Sequence, residues 1–275
     1  MIKRAVRIFA AVLLAAIVLA SLGADLIAPA PYAQQFRDHP NASPSKRFPL
    51  GTDDLGRDRL SRLLHGTRIS LLLAPAAALA ATIIAALAGI AAGMLGGKIE
   101  KALLSAIDLI SSLPWLFLLI AVRALLPLNI SAYASVAITF LLLGALGWTG
   151  AARVIRAAAL SVRESGFLLQ ARALGLPVRR LWLIQLLPNL RAPVASQFWL
   201  SIPLFILAEA NLGILGLGVT EPLPSLGNLL LDLANHRDFM TEPWRLAPVV
   251  LLLLVLLSLQ SLSRFPAGSG GGMKI

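Results

Sequence analysis

The sequence predicts an all-α integral membrane protein that crosses the bilayer six times. Three observations carry this reading. Apolar residues make up 58% of the 275 positions and charged residues only 13%, with a mean hydropathy of +0.82, a balance outside the range of ordinary soluble domains. Runs such as Ala247 to Leu257 hold no charge at all. Six stretches reach the roughly 20 mainly apolar residues that a membrane helix requires, and most of the basic residues fall between them.

The first stretch, Ile8 to Ile27, follows Lys3, Arg4 and Arg7 and ends in small residues around Ala28-Pro29-Ala30, which is also the layout of a secretory signal. Its long apolar core and the five stretches after it favour an uncleaved helix, so residues 1–30 are read as an N-terminal transmembrane helix. Residues 31–68 read as an external loop with an amphipathic segment. Ile69 to Leu95, Leu103 to Val122, Ala132 to Ala152, Ala192 to Leu212 and Leu246 to Leu262 then supply a five-helix core over 69–264. Between the fourth and fifth stretches, residues 153–191 carry seven arginines and a single acid, Glu164. Residues 265–275 are glycine-rich and read as a flexible tail.

Topology follows from the basic residues. With the N-terminus inside, fourteen of the 24 Lys and Arg lie on the inner side, including all seven of 153–191. The other ten, Arg57, Arg59, Arg62, Arg68 and Arg123 among them, fall outside and read as topology charges. The formal charge of +11 and the pI near 11.3 are therefore not a nucleic-acid footprint.

Several kinds of chemistry are excluded. The chain has no cysteine, hence no disulfide, thiolate nucleophile or cysteine metal site. Gly97-Lys98 is not a phosphate-binding loop, because Ala92 and Ile99 stand where a glycine and a Ser or Thr are needed. His39, His65 and His236 are isolated and lack metalloprotease spacing. No serine sits in a Gly-x-Ser-x-Gly elbow. Neither an enzyme active site nor a cofactor site is visible.

Small residues and prolines shape the spans. Ala85, Gly89, Gly93 and Gly97 recur every four residues, which lets another helix approach closely, within the chain or from a sister subunit. Pro75, Pro114 and Pro203 can kink helices. Asp108 and Glu209 lie in spans, where an ionisable group is a pathway candidate or else a packing or interfacial contact.

Four blocks then share an order. The first is Pro49-Leu50-Gly51-Thr52-Asp53-Asp54-Leu55-Gly56-Arg57-Asp58, continuing through Gly66-Thr67-Arg68. The second is Asp108 with Pro114. The third is Leu169-Gln170-Ala171-Arg172-Ala173-Leu174-Gly175, then Pro177 and Pro188. The fourth is Glu209-Ala210-Asn211-Leu212-Gly213-Ile214-Leu215-Gly216-Leu217-Gly218, then Pro222, Pro224 and Gly227. Together they resemble the inner-membrane permease subunits of bacterial ABC importers for dipeptides, oligopeptides and nickel, the DppC/OppC-like branch of the binding-protein-dependent transport family. Three departures stand out. The glutamate and first alanine of the family's EAA loop are Leu169 and Gln170, a tryptophan usual before the last glycine is Leu226, and the family's charged tail is replaced by Ser263-Arg264-Phe265-Pro266 and glycines.

The resemblance implies a type I importer permease fold with a cytoplasmic EAA-type coupling loop between helices 4 and 5, carried by Leu169, Gln170, Ala171, Arg172, Gly175, Pro177 and Pro188. It implies a multi-pass protein of the bacterial inner membrane without a cofactor. Expected partners are a sister permease subunit (DppB/OppB-like), two cytoplasmic ATP-binding subunits that hydrolyse the ATP, a periplasmic or lipid-anchored substrate-binding protein, and the lipid bilayer. Solute, expected to be peptide, would cross by alternating access. Asp108, Pro114, Glu209, Gly216 and Gly218 are the pathway or gate candidates. The periplasmic segment Gly51, Thr52, Asp53, Asp54, Gly56, Arg57 and Asp58 is expected to lie on the membrane surface with its charges toward water, framing the outer gate or docking the binding protein. The alternatives are a membrane-embedded enzyme, a self-sufficient secondary transporter and a non-transporting membrane assembly protein.

Overall fold

A computed structural model describes residues 2–125, 130–177, 180–234 and 240–263, and the tail read over 265–275 lies outside the described residues. All regular elements among them are helical. In chain order they are α1 (Ile2–Leu22), α2 (Ala24–Ile27), α3 (Arg59–Leu95), α4 (Gly97–Ser111), α5 (Trp115–Ala124), α6 (Ala132–Leu146), α7 (Thr149–Arg163) and α8 (Gly166–Ala173). A π-helical turn, Leu181–Leu186, leads into α9 (Leu187–Ile214), followed by α10 (Leu226–Ala234) and, after a 3-10 turn at Pro243–Leu246, α11 (Ala247–Ser263).

Five segments are long and apolar enough to cross a membrane: Arg4–Leu22, Arg59–Leu95, Ala132–Arg163, Ile184–Ile214 and Pro243–Ser263. Helices α4 and α5 pass the same test only together, bent by 72° at a break that ends in Pro114, and counted as one span they make a sixth. Proline removes a backbone donor and clashes with the preceding turn, and Pro114 accordingly starts a new helix. Pro75 and Pro203 lie inside α3 and α9 without ending them.

Helix ends depart from the apolar stretches of the sequence. The second span begins at Arg59 rather than near Ile69, the fourth runs on to Arg163, and the fifth starts within the arginine-rich 153–191 segment. Apolar content drops where arginines enter, but Arg, Ala and Leu are all good helix formers, so the backbone continues. The 37 residues of α3 extend about 55 Å at 1.5 Å per residue, well beyond a hydrocarbon core of about 30 Å. Its start is capped by Asp58, whose Oδ2 accepts from the Ser61 N–H at 2.7 Å.

Helix α3 is the hub, touching α1, α4, α6, α7, α9 and α10. Its buried positions are mostly small: Ala74, Ala77, Ala78, Ala81, Ala85, Gly89 and Gly93. One core joins the first four of these to Phe140 and Leu143 of α6, Phe205 and Ile206 of α9 and Val255 of α11. A second joins Ala85 and Ile90 to Ile155 and Ala159 of α7 and to Leu186 and Leu190.

The glycine stripe packs within the chain. A Cβ on Gly89 would lie 2.6 Å from the Ala152 carbonyl oxygen, and one on Gly93 would lie 2.7 Å from Ala159 Cβ. Gly97 is not part of this face, since it opens α4 and has nothing near it. Gly89→Leu is therefore expected to force α3 and α7 apart, at a cost of about 1–3 kcal/mol for overpacking. Thermal unfolding in detergent should show this as a lowered Tm, while Gly166→Ala, at an open position of α8, leaves Tm unchanged.

Candidate functional site

Where α3 begins, residues 31–58 fold into tight turns around buried charge. Gly51 and Gly56 have φ of +70° and +74°, and a Cβ at Gly56 would fall 2.2 Å from the Phe36 carbonyl oxygen, so the backbone closes there only with glycine. Asp53 Oδ1 accepts from the N–H groups of Leu55 at 3.0 Å and Arg57 at 2.8 Å. Its other oxygen takes the Arg57 Nε at 2.6 Å and lies 3.6 Å from Arg62 Nε.

Glu221, on the loop after α9, closes the cluster. Its carboxylate accepts from Arg57 Nη1 at 2.7 Å and from Arg62 Nη2 at 2.7 Å. Arg62 has no exposed surface, Asp53 and Arg57 are buried, and Glu221 is half exposed. Burial opposes the Arg57 cation, yet Asp53 and Glu221 hold it above the ordinary arginine value. A second tie binds α2 to α3: Asp25 lies 3.0 Å from His65 Nε2 and 2.8 Å from Arg68 Nη1. Hydrogen bonds from His65 and then Arg68 hold the exposed Asp25 carboxyl below its usual value.

The first block thus differs from expectation. Asp53, Arg57 and Asp58 are buried in turns rather than laid toward water on an amphipathic helix, and only Asp54 of the four charges is exposed. A loop of this length cannot leave Arg57 and Arg62 unpaired once they are covered, so the carboxylates turn inward. Nor are Arg62 and Arg123 simple topology charges. Buried Arg123 donates from Nη2 to Ser135 Oγ at 2.7 Å and to the Gly218 carbonyl oxygen at 3.2 Å, which ties α5 and α6 to the loop after α9.

The gate candidates fall in separate places. Glu209 is fully buried in α9 and accepts from Ser70 Oγ of α3 at 3.1 Å. Close by, a Cβ on Gly213 would meet Gly227 backbone at 2.3 Å, so α9 and α10 touch backbone to backbone. Gly216, at φ +71°, turns the chain out of α9. Asp108 is exposed on α4 and paired to Arg153 of α7 at 2.8 Å, whereas Glu209 pairs with α3. Arg62, Arg123, Glu221 and the Asp25–His65 tie were missed by sequence reasoning. The one signal available was arginine at the very edge of an apolar run.

At the opposite end lies the third block. Helix α8 ends in a left-handed glycine: Gly175 has φ +72°, and the Leu176 N–H returns to the Ala171 carbonyl oxygen at 3.2 Å. This is a Schellman cap, which favours glycine. Leu168, Ala171 and Leu181 are buried together with Leu176 and Trp182 packed on them. Leu169, Gln170, Leu174, Gly175 and Pro177 face outward. Arg172 lies in α8, but its side chain is outside the described residues. Pro188 follows the π turn as the second residue of α9, where the Leu187 N–H reaches the Trp182 carbonyl and the wider turn accommodates the missing donor.

Residues 85–265 match the family model described as the inner membrane component of binding-protein-dependent transport systems. The chain is similar to the di/tripeptide transport system permease protein of Pseudomonas aeruginosa, 36% identical over 235 residues, 83% of this chain and 74% of that protein. It is also similar to the oligopeptide transport system permease protein of Haemophilus influenzae, 36% identical over 208 residues, 75% of this chain and 64% of that one. The dipeptide transport system permease protein of Bacillus subtilis is 32% identical over 221 residues, covering 80% and 67%. The chain therefore spans between 64% and 74% of the length of these three relatives.

Removing one member of the buried charge cluster should be costly. Asp53→Asn leaves two desolvated guanidinium groups with one half-exposed carboxylate, and a loss of about 3–5 kcal/mol is expected on the scale of broken buried pairs. Glu221→Gln should lose less, because solvent already screens that carboxylate. Thermal unfolding of the two variants in detergent checks the order.

Proposed function

The chain belongs to the family of binding-protein-dependent transport system inner membrane components, and from that membership we propose that it is the translocating subunit of an ATP-driven importer of di- and oligopeptides. As a member of the family it is a multi-pass protein of the bacterial inner membrane. The peptide cargo rests on the names of its relatives, which are di/tripeptide, dipeptide and oligopeptide permeases. Two cytoplasmic ATP-binding subunits hydrolyse ATP, a DppB/OppB-like sister permease completes the path, and a substrate-binding protein delivers peptide at the face where Arg57, Arg62 and Glu221 cluster.

One observation carries the coupling role: α8 and its turn project from the bundle with apolar side chains outward. Leu174, at the tip, is 82% exposed, and Phe167 and Leu169 are exposed with it. Their backs are held by Leu168, Ala171, Leu176 and Leu181, so the projection is packed rather than loose. A firm apolar knob on the cytoplasmic side suits a cleft in an ATPase. Two helices leave it directly, α7 at Arg163 and α9 through the π turn. A push on the knob therefore reaches both of them. Alternating access needs such a device, since ATP binding must favour one global state over another.

Leu174→Glu places a charge on the knob without touching its packed side. Membrane insertion and Tm are expected to stay at wild-type levels, while co-purification of the ATP-binding subunits and ATP-driven dipeptide uptake fall at least tenfold. Gly175→Ala strains the left-handed cap by about 1 kcal/mol and should give a smaller loss in the same direction. Dipeptide uptake by the wild-type chain alone under a proton gradient, with no ATP-binding subunit, would overturn the importer reading in favour of a secondary transporter.

A further inference from the structure

Three neutral polar side chains on three helices, Thr149 buried and Ser111 and Gln197 partly so, have no partner among the described residues. Ser111 ends α4, Thr149 begins α7 and Gln197 lies in α9, and none of them forms a side-chain hydrogen bond among the described residues. All three line one cavity of about 360 Å³, together with Trp115, Gly150 and Ser201. The cavity sits where two crossings are interrupted: α4 breaks from α5 at Pro114, and α6 breaks from α7 at Gly147 and Trp148.

Depth can be counted along each helix. Ser111 lies fourteen residues from Gly97, Thr149 fourteen from Arg163, and Gln197 thirteen from Ile184, which at 1.5 Å per residue is about 20 Å in each case. All three therefore lie a similar distance along segments of membrane-crossing length, and they meet at one cavity. Within the membrane an unsatisfied polar group facing lipid is disfavoured, and interrupted helices are tolerated where they border a water-filled space. Thr149 is covered over most of its surface by its neighbours and faces the cavity.

We propose that this cavity is a hydrated chamber on the translocation path that holds the peptide main chain through neutral hydrogen-bonding groups. The proposal rests on the importer reading above. Among the described residues, none that lines the chamber is charged. A peptide backbone presents amide donors and acceptors at every residue, which hydroxyls and a carboxamide match in either direction. Uncharged walls hold no counter-charge that would trap a cationic side chain or repel an anionic one. The opening residue of α5, Trp115, follows a cap position that lacks a side-chain hydrogen bond. With Thr149, this half-helix start offers backbone N–H groups to a passing carbonyl or carboxylate. One turn toward the α8 end, Asp108 and Arg153 bridge the same two helices at 2.8 Å, which places a breakable tie beside the floor of the chamber.

Gly150 makes the chamber testable, because nothing lies within 4 Å of a Cβ built on it. The chain has no cysteine of its own, so each introduced cysteine is the single one in this subunit, read against the unsubstituted chain in the same complex. Ser111→Cys, Gly150→Cys and Gln197→Cys, in the assembled complex in membranes, should react with a charged, membrane-impermeant methanethiosulfonate at least tenfold faster than Leu141→Cys or Leu253→Cys. Transported dipeptide should slow that reaction severalfold, and Gly150→Phe should cut uptake at least tenfold with co-purification of the ATP-binding subunits retained. Chamber cysteines no faster than the two controls overturn the hydrated chamber. Fast labelling without protection by dipeptide, or full uptake by Gly150→Phe, overturns its role in holding peptide. Failure of the importer reading shows differently: the wild type then takes up no dipeptide with ATP, whatever the labelling gives.

Discussion

A guanidinium with no exposed surface must be neutralised where it stands, and Arg62 is in that position at the head of the longest helix. The desolvation cost of such a group exceeds what one distant charge returns. Asp53 and Glu221 answer it from two different loops, one before α3 and one after α9. The pairing therefore does more than balance charge. It fixes the start of α3 against segments separated by more than 150 positions in sequence, and with Arg123 on the Gly218 carbonyl it makes one rigid face from loops that have little other regular structure.

Below that face the structure is set by closeness. Helices gain no hydrophobic advantage from association within lipid, so small residues that let backbones approach do the holding. Gly89 and Gly93 seat α7 on α3, and Gly213 and Gly227 join α9 to α10. Such contacts tolerate little sliding, so α3 and α7 move together. The α8 knob joins α7 and α9, and these same two helices carry Thr149 and Gln197. A displacement at the knob is thereby delivered about 20 Å away with few compliant steps between. The one irregular step along the α9 branch of that route is the π turn, Leu181–Leu186, before α9.

Much of this was legible in the sequence, for physical reasons. Apolar runs of membrane length are dictated by bilayer thickness, so the five long spans and the bent α4–α5 pair were readable as apolar stretches. Gly175 was readable as a turn because a left-handed cap nearly demands glycine. Helix ends were less so. Arg59, Arg153 and Arg191 mark where apolar composition fades, but a helix stops where its hydrogen bonding stops, and arginine does not stop it. Least legible was which charges are buried. Asp53 and Asp54 are neighbours of identical type, yet one is covered by two arginines and the other faces outward. Nothing local distinguishes them, because the deciding partner, Glu221, comes from a distant part of the chain. Ser111, Thr149 and Gln197 were unremarkable in sequence for the same reason: each is ordinary alone, and only the two helix breaks bring them to a common cavity.

Charge in this protein is sorted by what it has to do. At the α3 head, paired charges build a fixed surface from two distant loops. Around the chamber the described walls carry dipoles and no formal charge. A fixed charge there would bind one class of side chain tightly, and tight binding at an intermediate station slows release onward. Neutral groups hold a backbone weakly and without regard to sequence. On the proposed importer reading, discrimination among peptides falls to the stage before the chamber, and the chamber itself needs only to be wet, narrow and closable. The Asp108–Arg153 pair suits that last requirement, because it is a single contact between α4 and α7 and a small relative movement of those two helices separates it.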